Sequence, residues 1–175
     1  FKSELAWDES SLYAHWRNRP KYETPFFSVF NFEVTHESRM WNFKESTFDG
    51  GEFPPDRNAI KQKMRNKKSN VPLLTPKDLK VEVPPYLPQN EIGENAMRRM
   101  YTNIIRMEKG VGKILHQLEE DGLLDQTIVV WYSDHGGPLP RQKRLLYDSG
   151  LRVPLIIRYP DGSRAGEWDV CLIRF

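Results

Sequence analysis

The sequence contains one cysteine, Cys171, among its 175 residues. A single cysteine excludes an internal disulfide framework, but it does not determine the compartment in which the protein works. Long hydrophobic runs are also absent, since no apolar stretch of the chain approaches the ~20 residues that a membrane-spanning helix requires. We therefore predict no membrane span in this segment.

The sequence also lacks a large excess of charge of either sign, because it has 26 basic and 24 acidic residues and a net charge of +2. A net charge of this size is too small to argue for nucleic-acid binding, so we expect no nucleic-acid partner. Basic residues cluster once, and we interpret that cluster as solvated surface, with a contact to anionic polysaccharide as the alternative. The cluster consists of Arg57, Lys61, Lys63, Arg65, Lys67 and Lys68.

The remaining composition is that of a globular chain, with 38% hydrophobic and 29% charged residues. A chain of this length can form one domain with its own core. Residues 40–90 are rich in proline, lysine, asparagine and aspartate and show no sustained periodicity. They are predicted to form a long loop region with short helical turns.

Two apolar runs, residues 127–131 and 153–157, flank the most informative stretch of the sequence. This pattern predicts a strand, a polar loop and a second strand. Ligands bind beyond the carboxyl ends of strands in an open α/β sheet, so Asp134, His135 and Lys143 are expected to face one pocket. A carboxylate beside an imidazole suits a divalent metal, and a nearby ammonium suits an anionic substrate.

Earlier elements indicate an α/β fold. Residues 24–32 are aromatic and β-branched, which predicts a buried strand, and the polar loop 33–39 that follows it contains His36. A helix is predicted over residues 91–120, with Gly122 as its C-cap, because apolar residues recur there at steps of three and four. A helix that joins two strands makes a crossover within a mainly parallel sheet covered by helices. The expected core positions of the helix are Met97, Tyr101, Ile104, Met107, Val111, Leu115 and Leu118.

The stretch 131–160 resembles the sulfatases of the alkaline-phosphatase superfamily. Its sequences PLPRQK at 138–143 and LYDSG at 146–150 are most similar to the branch that contains heparan N-sulfatase and related bacterial enzymes. The resemblance implies an alkaline-phosphatase-like α/β fold that is incomplete here. The chain begins at Phe1 without an initiator methionine and stops within an apolar segment. We therefore expect residues 1–175 to be the middle portion of a sulfatase catalytic domain, truncated at both ends, with 40–90 as a loop-rich insertion.

The resemblance also implies roles for four residues. His36 stands at the offset of the family histidine that touches the sulfate, although Thr35 replaces the usual proline before it. Lys143 matches the basic side chain that the family places on the sulfate, whereas Arg141 and Arg144 are interpreted as surface residues, one of which could extend an anion subsite. Asp134 matches a metal ligand of the family, and His135 is the second expected ligand, at a position where many sulfatases have asparagine. Calcium is the metal expected from the family, with manganese or zinc as alternatives, because imidazole suits those ions better.

The family's nucleophile has no match in this chain. Sulfatases use a cysteine or serine that matures to formylglycine, and the neighbours of Cys171 do not fit that motif. Cys171 is interpreted as a small apolar residue. The formylglycine, and the paired aspartates that complete the family's metal site, are therefore expected outside this chain.

The sequence thus predicts a fragment of a hydrolase that acts on the sulfuric esters or sulfamates of a sulfated saccharide. A phosphodiesterase or phosphonate monoester hydrolase of the same superfamily is the alternative enzyme. It shares the geometry of the metal-binding loop, and a histidine at position 135 would be natural in it. A third hypothesis is a truncated product or pseudoenzyme without activity. A periplasmic, extracellular or lysosomal location is expected from the family, and the oligomeric state stays open.

Overall fold

The computed structural model describes residues 6–41 and 71–167. The basic cluster, Cys171 and most of the predicted loop region 40–90 lie outside the described residues. The described helices are α1 (Ser38–Trp41), α2 (Glu91–Glu120) and α3 (Asp148–Leu151), with 3-10 turns at Trp16–Asn18, Glu33–Thr35 and Leu124–Gln126. The strands are β1 (Val129–Tyr132) and β2 (Leu155–Arg158). Residues 71–90 contain turns and neither a helix nor a strand.

Helix α2 confirms the predicted bounds because both of its ends carry strong local signals. At the start, the Asn90 side chain accepts hydrogen bonds from the amides of Ile92 and Gly93. At the end, Gly122 has a φ of 64° and the Leu123 amide donates to the Leu118 carbonyl at 2.8 Å, which closes a Schellman motif. Among the described residues no helix, α2 included, is both long and apolar enough to cross a membrane.

The buried face of α2 is more polar than its periodicity indicated. Thr102 is fully buried, and its hydroxyl accepts the Leu74 amide at 3.0 Å. Arg106 is 4% exposed and donates to the Val71 carbonyl at 2.8 Å. These bonds hold the irregular segment around Val71 and Leu74 against the helix, since backbone groups outside regular structure require partners of this kind.

The same arrangement makes the prediction for two apolar positions wrong. Tyr101 and Ile104 were expected in the core, but they are 40% and 39% exposed. Arg98 and Asn103 are buried on α2 instead. Apolar periodicity does not register long polar side chains, which are buried where partners such as the Glu94 carboxylate, 2.6 Å from Arg98, accept their hydrogens.

Two hydrophobic clusters lie along α2, one toward each end. The first consists of Met40, Leu87, Met97 and Leu139, and it joins α1 and the loop after β1 to the first half of the helix. The second consists of Trp16, Leu118 and Leu123. Because both the segment around Met40 and the loop around Leu139 pack in the first cluster, that cluster brings two distant polar loops to the same side of the molecule.

The C-terminal end of α2 is held by the N-terminal segment. The Arg17 guanidinium contacts Asp121 at 2.8 Å and the Gln117 carbonyl at 3.3 Å, and the Trp16 indole donates to Asp121 at 2.7 Å. A cation at this end of a helix is favourable because the last carbonyls carry partial negative charge. The hydrogen bond from Arg17 holds the pKa of Asp121 below its ordinary value, against the opposing effect of burial.

The Asp121→Asn substitution is expected to lower the free energy of unfolding at pH 7 by about 1 kcal/mol, the usual size for a hydrogen-bonded pair of this exposure. The pKa of Asp121 is lower in the folded state than in the unfolded state. Its contribution is therefore complete above about pH 4 and is lost as the pH falls through the folded-state pKa. Denaturant unfolding at pH 7 and in acid, with the exposed Glu23→Gln variant as control, should show the difference from wild type shrinking in acid. A difference that persists unchanged would contradict this role.

The described strands form one antiparallel pair, in which Val129 lies opposite Arg158 and Tyr132 opposite Leu155. Both strands were predicted to within one or two residues. The strand predicted at residues 24–32 is not present, although alternating exposure shows that this segment is extended. A strand requires a hydrogen-bonded neighbour, and none lies beside 24–32 among the described residues. The parallel pairing predicted for the sheet is likewise not found there.

Candidate active site

The loop after β1 begins with a tight polar turn. The Ser133 amide donates to the Pro154 carbonyl at 3.3 Å, and the Ser133 hydroxyl donates to the His135 carbonyl at 2.6 Å. The Gly136 amide donates to the Gly150 carbonyl at 3.0 Å. These bonds tie the start of the loop to the start of β2, so Asp134 and His135 occupy a fixed position at the carboxyl end of β1.

Two glycines allow the loop to close on itself. A side-chain carbon at Gly136 would come 2.6 Å from the Gly150 Cα, and one at Gly150 would overlap the carbonyl oxygens of Gln142 and Leu145. Neither position has room for a side chain, so a larger residue at either one would push the lysine-bearing segment away from β1.

The lysine-bearing segment is fixed mainly by Gln142, a residue that the sequence did not single out. Its side-chain oxygen accepts the Leu139 amide at 2.9 Å, while the Lys143 amide donates to the Gly137 carbonyl at 3.2 Å. Arg144 adopts the left-handed conformation with a φ of 69°, which is uncommon for a residue other than glycine. The loop therefore presents Lys143 and Arg144 from a tightly constrained turn.

The structure brings His36 and Lys143 together across 107 residues of sequence, with 2.8 Å between the His36 Nε2 and the Lys143 Nζ. The 3-10 turn Glu33–Thr35 sets the position of His36, whose amide donates to the Glu33 carbonyl at 3.1 Å. An ammonium group has hydrogens to donate and no lone pair, so the charged lysine donates and the imidazole Nε2 accepts. Both groups belong to types that bind sulfate oxygens.

Glu37 completes this cluster. Its Oε1 accepts a hydrogen bond from the Arg144 guanidinium and lies 3.8 Å from the Lys143 Nζ. Arg144 is 71% exposed, as expected for a surface residue, but its ion pair with Glu37 was not predicted. No local sequence signal identifies this contact, because Glu37 and Arg144 are 107 positions apart.

Asp134 and His135 present two donor atoms side by side. The His135 Nδ1 lies 2.6 Å from the Gly136 carbonyl, which places the hydrogen on that nitrogen and leaves the lone pair on Nε2. Nε2 is 3.6 Å from the Asp134 carboxylate, whose side chain is 83% exposed. Metal-binding histidines commonly donate their second ring nitrogen to a carbonyl in this way.

This donor pair fits part of a divalent cation site. A carboxylate oxygen and an imidazole nitrogen suit manganese or zinc, and the carboxylate alone suits calcium. Within residues 6–41 and 71–167, no group of three histidine, cysteine or acidic side chains converges on a common point. Asp134 and His135 are therefore two potential donors among the described residues, and a complete coordination shell would require others.

All four predicted site residues line one cavity of about 820 Å³. His36 and Lys143 lie at its wall with Asp134 and His135, and the remaining wall is largely apolar, with Phe30 from the extended segment and Met107 from α2 among its residues. The structure thus places the four predicted site residues at a common space. Their individual roles stay predictions.

This sequence matches the model of the Sulfatase family over residues 8–169, and the chain therefore belongs to the sulfatase family. The predicted resemblance is confirmed by this match. Membership implies an alkaline-phosphatase-like α/β fold.

Three relatives show the nature of the similarity. The chain is 44% identical to an ulvan-active sulfatase of Formosa agariphila, an alignment that covers 100% of this chain and 31% of the relative. It is 32% identical to the N-sulphoglucosamine sulphohydrolase of Homo sapiens, over 79% of this chain and 26% of that enzyme. It is 39% identical to an N-acetylglucosamine-6-O-sulfatase of Bacteroides thetaiotaomicron, over 41% of this chain and 13% of that protein. The chain therefore spans less than a third of the length of each of these relatives.

Proposed function

We propose that this chain is the central part of the catalytic domain of an enzyme that hydrolyses sulfuric esters or sulfamates of a sulfated carbohydrate. The observation that carries the proposal is the 2.8 Å pairing of Lys143 with His36 at the cavity that Asp134 and His135 also line. The names of the relatives support a saccharide substrate, because they include an ulvan-active sulfatase and an N-sulphoglucosamine sulphohydrolase.

Hydrolysis of a sulfate ester requires neutralisation of the sulfate oxygens, a proton for the leaving group and a nucleophile. Lys143 supplies a fixed positive charge in a partly enclosed site, where such a charge is most effective. His36 contacts the sulfate and can carry a proton to the leaving oxygen or nitrogen. Asp134 and His135 would hold a divalent cation, with calcium expected from the family and manganese or zinc as alternatives. When bound, the cation adds positive charge at the sulfate.

The exposed apolar surface of the sheet supports the proposal that residues 1–175 belong to a larger domain. Val130, Tyr132 and Ile156 are 50%, 62% and 60% exposed, and the described sheet has only two strands. A sheet of this size is marginally stable without further strands or helices packed on it. The nucleophile, proposed to be a formylglycine outside this chain, would come with those elements. Residues 40–90 would be a loop-rich insertion within the catalytic domain.

The isolated chain is expected to show no sulfatase activity, since its proposed nucleophile and half of its metal shell lie elsewhere. The complete protein, of which we propose this chain to be a part, should hydrolyse p-nitrophenyl sulfate and a sulfated oligosaccharide. The purified isolated chain could instead turn over substrate, and Asp134→Ala could abolish this turnover. That result would show that the chain contains the catalytic groups that we place outside it.

Substrate comparison separates the sulfatase from its superfamily alternative. The complete protein should turn over p-nitrophenyl sulfate faster than bis-p-nitrophenyl phosphate at equal concentration. The reverse order would favour a phosphodiesterase, and no turnover of either compound by the metal-loaded protein would favour a pseudoenzyme.

A further inference from the structure

We infer that Glu37 is a positioning residue whose carboxylate, paired with Arg144, holds the Lys143 ammonium beside His36. This inference rests on the proposed function, because it assigns Glu37 a role that acts through the anion-binding Lys143. No resemblance or motif pointed to Glu37.

Distances define a chain of four side chains. Glu37 Oε1 accepts from the Arg144 guanidinium and lies 3.8 Å from the Lys143 Nζ, which is 2.8 Å from the His36 Nε2. The separation of 3.8 Å is too long for a hydrogen bond but short enough for a strong charge interaction. Glu37 therefore attracts the ammonium without taking one of its three hydrogens. One hydrogen goes to His36, and two stay available for sulfate oxygens.

The backbone explains how neighbouring residues reach the same carboxylate. Lys143 and Arg144 lie in a turn, and Arg144 has a φ of 69°, in the left-handed region. This turn brings both side chains to the Glu37 carboxylate. A conformation of this kind persists in a residue other than glycine only where surrounding contacts hold it, and the Glu37 ion pair is such a contact. Glu37 thus ties the lysine-bearing loop to the histidine-bearing loop.

Charge balance gives the carboxylate its second effect. An ammonium and a guanidinium on adjacent residues repel each other, and a lysine without a partner loses much entropy when an anion fixes it. Glu37 is only 22% exposed, so its negative charge is partly shielded from water and offsets this repulsion where it occurs. The incoming sulfate therefore meets a lysine that is already in place, which is the arrangement that favours the transition state.

A double-mutant cycle in the complete protein tests this inference. Glu37→Gln keeps the shape of the side chain and removes its charge, and we expect it to lower kcat/KM on a sulfated oligosaccharide about tenfold, a part of the loss expected for Lys143 itself. In a Lys143→Ala background the same substitution should change kcat/KM less than twofold, because its effect passes through the lysine. Glu37→Asp, which retains the charge, should recover most of the rate.

Controls separate positioning from stability. Glu108→Gln makes the same charge change at an exposed site on α2 and should leave both kinetics and thermal unfolding unchanged. A loss of kcat/KM from Glu37→Gln that is equally large in the Lys143→Ala background would show a merely structural role and overturn the inference. Wild-type kinetics in Glu37→Gln, with a large loss in Lys143→Ala, would overturn it while leaving the proposed function intact. Wild-type kinetics in Lys143→Ala itself would overturn both.

Discussion

Replacing Lys143 by alanine in the complete protein should lower kcat/KM on a sulfated saccharide about a hundredfold, which corresponds to ~3 kcal/mol of lost transition-state stabilisation. The Lys143 side chain lines the cavity beside His36 and is only 18% exposed, so water would not fully compensate for the loss of its charge. Metal content, measured by elemental analysis, should stay nearly intact because the Lys143 ammonium is not a metal ligand. Lys109→Ala, which removes an exposed lysine of α2, serves as the matched control.

The His36→Ala variant distinguishes two uses of the imidazole. If His36 only contacts the sulfate, the variant should lose activity by orders of magnitude on every substrate. If His36 also protonates the leaving group, the variant should recover much of its rate on p-nitrophenyl sulfate, since nitrophenol leaves readily without a proton. The Lys143 variant should show no such recovery. Near wild-type kinetics for both variants on a sulfated sugar would instead identify two ordinary surface residues.

Asp134→Ala is the second substitution with a large expected effect. Asp134→Ala should remove bound divalent metal and nearly all activity, because a methyl group cannot replace a ligand oxygen. The carboxylate lies 3.6 Å from the His135 Nε2, whose lone pair faces away from the Gly136 carbonyl, so the substitution leaves one donor of the pair. Elemental analysis of the purified variant and its activity with added calcium, manganese or zinc are the measurements.

A suitable control for Asp134→Ala is Asp148→Ala, which removes a carboxylate of similar exposure from α3. This variant should keep its metal and most of its activity. Metal content that is unchanged in Asp134→Ala would exclude the carboxylate as a ligand, whatever happens to the rate.

Interactions between neighbouring residues explain the parts of the structure that were predicted correctly. Helix α2 was predicted with its bounds because Asn90 and Gly122 carry capping signals and the residues between them repeat every three to four positions. Both strands and the loop between them followed from apolar runs around a polar segment. The family was recognised from the same stretch, since its motif lies within 30 consecutive residues.

Contacts between segments far apart in the chain could not be predicted from the sequence. The antiparallel pairing of β1 with β2, the burial of Thr102 against Leu74 and the Glu37–Arg144 ion pair have no local signature. Apolar periodicity shows which side of a helix or strand is apolar. It does not show which segment packs against that side or which buried polar groups find hydrogen-bond partners there. His36 and Lys143 were each identified from sequence, whereas their 2.8 Å contact depends on two loops packing on α2. Long-range packing therefore decides the geometry in which residues of known type can act.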